Sequence, residues 1–116
     1  MADEVVHSIR GGHPLTQYSL PFMQGMVNRM LTSYHKYGHA KIAVQNGVDS
    51  KESAAQRWRK YEETGNTEYL MDVANYAMME FMYPTHENAH FDPESRSPGR
   101  TLTSGRITDK HSEDLL

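Results

Sequence analysis

The sequence predicts an all-α fold, a small helical bundle of three to four helices with an irregular N-terminal arm and an extended C-terminal tail. Residues 21–37, 49–64 and 67–83 carry apolar side chains at three- and four-residue spacing, which is the pattern of an amphipathic helix. Gly38, Gly65 and Pro84 supply the stop signals that end these segments. The 116 residues suit one domain, with 1–91 as the helical domain and 92–116 as the tail.

Composition and charge narrow the classes of function. The net charge of −3 gives no basic field for duplex nucleic acid, and the absence of cysteine excludes disulfides and thiolate metal sites. No apolar run is long enough to span a bilayer and no signal-peptide pattern opens the chain, so we expect a cytoplasmic protein without a membrane partner. Only 37% of residues are hydrophobic. A core this small predicts that the chain gains further burial as a homo-oligomer.

The first two segments differ in their patterning. Residues 1–14 contain Gly11, Gly12 and Pro14 and little apolar surface, which favours an irregular arm. Residues 21–37 form one wide apolar face, and Gly25 within it indicates a close helix crossing. Gly38 then stops the helix.

The middle of the chain contains an ambiguous stretch and a surface helix. Residues 39–48 leave open whether 42–44 continue a helix, although Asn46-Gly47 predicts a turn. The spacing of residues 49–52 is typical of a capping box, which opens a helix to about residue 64. Its predicted buried stripe consists of Ala54, Trp58 and Tyr61.

The segment 67–83 is the most apolar helix and the predicted centre of the bundle. Asn66 or Thr67 is the expected N-cap, and Pro84 closes the far end. The short linker at Gly65 predicts that this helix and the preceding one are antiparallel neighbours. Residues 92–116 are rich in proline, serine, glycine and arginine, which predicts a flexible tail or one that wraps a neighbouring subunit.

An acidic stripe on the central helix gives the strongest indication of a site. Glu68, Asp72 and Asn75 stand at i, i+4 and i+7 and therefore share one face. A buried carboxylate is costly unless it is paired, hydrogen-bonded or bound to a metal. One interpretation is that Glu68 and Asp72 are catalytic and hold Mg²⁺ while Asn75 contacts a base or ribose. The alternative is that Glu68 favours the helix dipole, Asp72 pairs with an arginine or lysine of another helix, and Asn75 caps a turn.

The pattern Glu68-x-x-x-Asp72-x-x-Asn75 inside an apolar helix resembles the acidic helix of the all-α nucleoside triphosphate pyrophosphohydrolases, the MazG-like group. In that family two acidic helices chelate magnesium against a triphosphate. This chain departs from the family in the preceding helix, which offers only Glu62 and Glu63, and in the four-residue spacing of its acids, where three is usual. The resemblance implies magnesium-dependent hydrolysis of a nucleoside polyphosphate.

A second resemblance concerns the segment from Gly65-Asn66-Thr67-Glu68-Tyr69 to Phe81-Met82, followed by Ala89-His90-Phe91 and Ser97-Pro98-Gly99-Arg100. These residues are similar to small uncharacterised proteins of phages and actinobacterial mobile elements. The similarity implies a genetic context and no particular activity.

Basic and aromatic residues cluster where the first predicted helix ends. Lys36, Tyr37, His39 and Lys41, with Arg100 from the tail, are the predicted contacts to a nucleotide or another phosphate ligand. The alternatives are cationic side chains that only favour the helix C-terminus, and a solvated tail. The pairs His35/His39 and His86/His90 have a spacing that binds transition metals when it lies on a helix.

These features predict a nucleotide-directed protein, with a magnesium-dependent nucleoside polyphosphate pyrophosphohydrolase as the first interpretation. The missing second acidic helix favours an alternative, a non-enzymatic phage-type protein that binds and sequesters a nucleotide signal. A structural oligomerisation module is the third interpretation. Whether the chain is an enzyme stays open on the sequence.

Overall fold

A computed structural model describes residues 15–93, which form four α-helices and no strand. A 3₁₀ turn at Leu15–Gln17 precedes α1, and the helices are α1 (Leu20–Tyr37), α2 (Ala40–Gln45), α3 (Ser50–Thr64) and α4 (Glu68–Met82). The all-α prediction is confirmed. The predicted N-terminal arm, and the predicted tail beyond residue 93, lie outside the described residues.

Local sequence signals set the ends of the three long helices. Ser19 and Asp49 cap α1 and α3 by accepting hydrogen bonds from the backbone N–H groups of residues 22 and 52, at 3.1 and 3.0 Å. The side chain of Asn66 accepts from the Glu68 N–H at 3.0 Å, so Asn66, one of the two predicted caps, serves α4. Gly65 ends α3 with φ of 73°, a left-handed conformation that glycine adopts without steric cost.

α4 lies at the centre of the arrangement. It packs along α3, and the three-residue linker between them makes the two helices antiparallel neighbours. α1 packs against α4, and the short α2 packs against α1. α4 therefore contacts both other long helices and positions the groups they share.

Gly25 permits the close crossing of α1 and α4 that the sequence predicts. A β-carbon built at this position would lie 2.5 Å from the sulfur of Met71 on α4. That distance is far below van der Waals contact, so only a glycine lets the two helices approach this closely without displacing Met71.

Very little of the described chain is fully buried. Met79 on α4, 7% exposed, is the only buried apolar residue among residues 15–93, and Ser50 and Asn75 are the buried polar residues. Trp58 is 49% exposed, so the prediction that it belongs to a buried stripe is wrong. Arg57, one position earlier, is directed at α4 instead, because α4 offers it a carboxylate partner. No helix of the described region combines the length and apolar character required to cross a membrane.

Candidate functional site

Arg29 of α1 links two successive turns of α4. Its Nε and Nη2 atoms donate to the two carboxylate oxygens of Asp72, at 2.6 and 3.0 Å, which is the forked geometry that suits a guanidinium. Its Nη1 atom donates to Oε1 of Glu68. One arginine therefore engages both predicted metal-binding carboxylates.

A second arginine approaches Asp72 from the opposite helix. The Nε atom of Arg57 on α3 lies 3.3 Å from Oδ2 of Asp72, and its guanidinium carbon lies 6.0 Å from the ring centre of Tyr76. Only 15% of the Asp72 side chain is exposed, against 36–37% for the two arginines. Asp72 thus ties α1 and α3 to α4 through a half-buried pair of cations.

The carboxylates of Asp72 and Glu68 change the pKa of Arg29. The hydrogen bond to Asp72 raises the pKa of Arg29 above its ordinary value, partial burial opposes that change, and Glu68 adds to the rise. Arg29 therefore stays charged throughout the physiological range, as arginines in proteins do.

This geometry fits magnesium poorly. Mg²⁺ requires carboxylate oxygens free to coordinate, whereas both candidate ligands accept hydrogen bonds from Arg29. No group of three or more histidine, cysteine, aspartate or glutamate side chains could hold a metal ion in the described part of the chain. The arrangement found for Asp72 is the alternative that the sequence left open, a pairing with arginines of other helices.

Asn75 is the most informative member of the acidic stripe. The residue is 5% exposed, and its Nδ2 donates to the backbone oxygen of Met26 on α1 at 3.1 Å. Its Oδ1 is buried and accepts no hydrogen bond. A buried amide oxygen without a donor costs roughly 1–3 kcal/mol, so Asn75 is poorly explained by the stability of the fold alone.

Asn75 borders a hollow of about 920 Å³ bounded by α1, α2, α3 and α4. Small-molecule sites commonly span roughly 300–1,000 Å³, so the hollow is large enough for a drug-sized or nucleotide-sized ligand. Its wall includes three permanently cationic side chains and a single carboxylate: Arg29, Lys36, Arg57 and Asp72. These three cations stand against two carboxylates, Asp72 and the Glu68 that also accepts from Arg29, so one positive charge is in excess.

Aromatic rings occupy the same wall. Tyr34, Tyr37, His39 and Tyr76 all line the hollow, and the rings of Tyr34 and His39 meet edge to face with centres 5.0 Å apart. Tyr37 is 74% exposed, so its ring is available to a ligand. Cations beside aromatic faces suit a molecule that joins an anionic group to a flat ring.

The structure brings together most of the predicted ligand-binding residues. Lys36, Tyr37, His39 and Asn75 line the hollow, whereas Lys41 lies on α2 outside its wall. Arg100 falls outside the described residues.

The sequence analysis did not identify Arg29 or Arg57 as residues of the site. The signal that pointed to them was Asp72, an acid on an apolar helix that needed a cationic partner.

The histidines near the end of the described chain, His86 and His90, do not have the helical arrangement that a metal site would require. Residues 84–90 are not helical, so His86 and His90 are not presented one turn apart on a helix. The Nδ1 atom of His86 accepts from the Asn88 N–H at 2.9 Å, and Nδ1 of His90 lies 2.9 Å from the Asn88 carbonyl oxygen. Both rings therefore serve local turn structure.

Comparison of the chain with protein-family models, with curated proteins and with solved structures produced no significant match. What can be proposed about its function therefore depends on the geometry of the hollow.

Proposed function

We propose that the chain is a non-catalytic binding protein for a small phosphate-bearing ligand, with a nucleotide as the class that fits best. The ligand binds without metal in the hollow between the helices, and the protein acts in the cytoplasm as its sequence predicts. This is the sequestering alternative of the sequence analysis.

The unpartnered Oδ1 of Asn75 carries the proposal. This oxygen is a buried acceptor without a donor, and its residue lines a hollow that also presents Arg29, Arg57 and Lys36. A nucleobase or ribose supplies N–H or O–H donors for such an acceptor, and its phosphates supply the negative charge that the three cations favour. One ligand class thus satisfies both the orphaned oxygen and the excess charge.

The tyrosines account for the remaining part of such a ligand. A base stacked on an aromatic side chain contributes about 1–3 kcal/mol to the binding free energy, whichever base it is. Tyr37 is exposed, and Tyr34 and Tyr76 flank the cationic groups. Stacking on these rings would leave the phosphates within the reach of Lys36 and the two arginines.

Magnesium-dependent hydrolysis needs an additional event in this geometry. Glu68 and Asp72 would have to release Arg29 before they could bind the metal. The half-buried guanidinium of Arg29 would then have no counter-ion. The metal-free binder requires no such rearrangement, and for this reason we favour it over the pyrophosphohydrolase.

The test is a binding screen of nucleoside mono-, di- and triphosphates against the full chain, by thermal shift and calorimetry, with EDTA and with Mg²⁺ in parallel. We expect a ligand that raises the melting temperature equally in both conditions. Lys36→Gln should weaken its binding about tenfold, which is the loss of one charge-assisted hydrogen bond. Lys41→Gln, which removes a neighbouring lysine outside the hollow, is the matched control and should leave the affinity unchanged.

The fate of the ligand separates the two activities. After heat denaturation of the complex, mass spectrometry should recover the ligand unaltered. Release of pyrophosphate in the presence of Mg²⁺ that Asp72→Asn abolishes would show that the protein is the hydrolase and not a non-catalytic binder. A panel without any thermal shift would remove both.

A further inference from the structure

A second depression, which we call the α1 groove, adjoins the hollow. It has a volume of about 450 Å³ and lies between α1 and α4. The groove and the hollow share Met30, Tyr34 and Asn75. The groove contains no charged side chain and is lined by Met23, Met26, Val27, Met30, Leu31, Tyr34, Asn75 and Met78.

The apolar residues of α1 follow the spacing of a helix that packs against another helix. Met23, Val27, Met30 and Tyr34 are separated by four, three and four residues, which is the alternating spacing of the heptad pattern in paired helices. Yet Val27 and Leu31 are each 55% exposed. The helices in residues 15–93 cover the methionines of this stripe only in part and leave Val27 and Leu31 exposed, although the stripe is patterned for a packed helix.

The rest of the chain is poorly suited to cover the groove. Residues 1–14 contain only one short apolar patch, at Val5, Val6 and Ile9. Residues 94–116 contain four large aliphatic side chains without helical spacing: Leu102, Ile107, Leu115 and Leu116. The stripe on α1 has six side chains over about three turns, a pattern that the sequence of neither segment repeats.

A second copy of the chain does offer one. We propose that the α1 groove is a homodimer interface in which α1 of each copy packs on α1 and α4 of the other. A two-fold axis brings an identical uncharged stripe of equal length onto each groove, which is how self-complementary interfaces form. The resulting four-helix layer buries the exposed Val27 and Leu31, and the half-buried methionines beside them adapt readily to such a contact.

The first test measures the mass of the full chain by sedimentation equilibrium between about 1 μM and 1 mM. We expect a dimer for the wild type and a monomer for Leu31→Glu, because the glutamate places a charge in the centre of the apolar contact. Ile42→Glu is the matched control, since Ile42 is 48% exposed on α2 and lines neither the groove nor the hollow. Circular dichroism checks that both variants keep their helices.

The second test uses the absence of native cysteine. Single cysteines at Val27 and at Leu31 should form intermolecular disulfides under mild oxidation, alone or when the two variants are mixed. A cysteine at Gln24, which is exposed on α1 outside the groove, should cross-link at least tenfold more slowly. This outcome identifies a second copy, and no other partner, as the occupant.

Three outcomes would overturn the proposal. A wild type that stays monomeric at every concentration means that another segment or a foreign partner covers the groove. Dissociation by Ile42→Glu as strongly as by Leu31→Glu places the interface elsewhere. Equal cross-linking at positions 24, 27 and 31 shows random collision in place of a defined contact.

Discussion

α4 is held by its two long neighbours through different kinds of contact. α3 packs along much of the length of α4, and a three-residue linker connects the two helices. Capping interactions close the end of α3 and the start of α4 on either side of this linker. α1 is attached at a few points: the Gly25–Met71 crossing, the Arg29 pairs with the acids, and the hydrogen bond from Asn75 to Met26. α3 makes the more extensive packing contact and adds one ion pair, Arg57 to Asp72, whereas α1 depends more on polar contacts.

The difference explains why the candidate site lies on the α1 side. Polar contacts place charged and amide groups between the helices, and they leave space around them for a ligand. Val27 and Leu31 of the adjoining α1 groove also stay exposed on this helix. α1 therefore borders both the hollow and the groove, which share Met30, Tyr34 and Asn75.

The largest loss of stability is expected where α4 is most deeply buried. Met79→Ala removes the one fully buried apolar side chain of the described region and should lower the free energy of unfolding by about 3 kcal/mol. Met82→Ala, at a methionine that is 43% exposed in the same helix, should cost less than about 1 kcal/mol. Urea unfolding followed by circular dichroism measures both. Equal losses in the free energy of unfolding would mean that the burial of Met79 adds no stability. The polar contacts of α4 would then be its main source of stability.

The next largest effect is expected at the polar attachment of α1. Asp72→Asn keeps the shape of the side chain but leaves Arg29 and Arg57 without their shared charge, and it should cost about 2 kcal/mol. Glu52→Gln is the control, because the Arg59–Glu52 pair on α3 is 55–56% exposed and should contribute less than about 0.5 kcal/mol. The same urea titration applies. If Asp72→Asn were as mild as the control, α1 would be held by packing, as α3 is.

A somewhat smaller effect is expected at the crossing of α1 and α4. Gly25→Val brings its β-carbon into the sulfur of Met71, and overpacking of this kind costs about 1–2 kcal/mol where a flexible side chain can move aside. In a Met71→Ala background the same change should cost measurably less, because the clash is relieved, and a double-mutant cycle by urea unfolding isolates that coupling. Additive losses at the two positions would show that the helices do not meet at Gly25.

Much of the helical framework could be predicted because local signals determine it. The capping residues at Asp49 and Asn66 and the glycine stop at Gly65 all lie within a few residues of the helix ends that they control. The predicted lining residues Lys36, Tyr37 and His39 follow the same logic, since they close α1 and are next to each other in the chain.

The partners of the acidic stripe could not be predicted in the same way. Arg29 is 43 residues from Asp72 along the chain, and its role depends on how α1 is rotated about α4. The prediction for Trp58 failed for a related reason. Ala54 and Tyr61 suggested a stripe through position 58, but the carboxylate of Asp72 turns α3 so that Arg57 faces α4. Helix rotation is set by long-range pairs, which a periodic pattern in one helix does not contain.

The smallest effect is expected at the exposed contact between Glu80 of α4 and Thr85. Glu80 accepts from the backbone N–H of Thr85 at 2.7 Å and from the Thr85 hydroxyl, which ties the turn after α4 to the helix. The Thr85 N–H lowers the pKa of Glu80 below its ordinary value of 4.5, partial desolvation opposes this, and the Thr85 hydroxyl, Lys51 of α3 and the His86 N–H contribute further lowering.

Because the pKa of Glu80 is lower in the folded chain, its contribution is present above pH 4.5 and is lost as the pH falls through the lowered value. The Thr85 amide proton should then shift and exchange faster with solvent, with little change in overall unfolding. A proton–nitrogen NMR titration from pH 6 to the acid limit follows this directly. Glu80→Gln should abolish the acid transition at Thr85, whereas a transition that persists in this variant would assign the effect to another group.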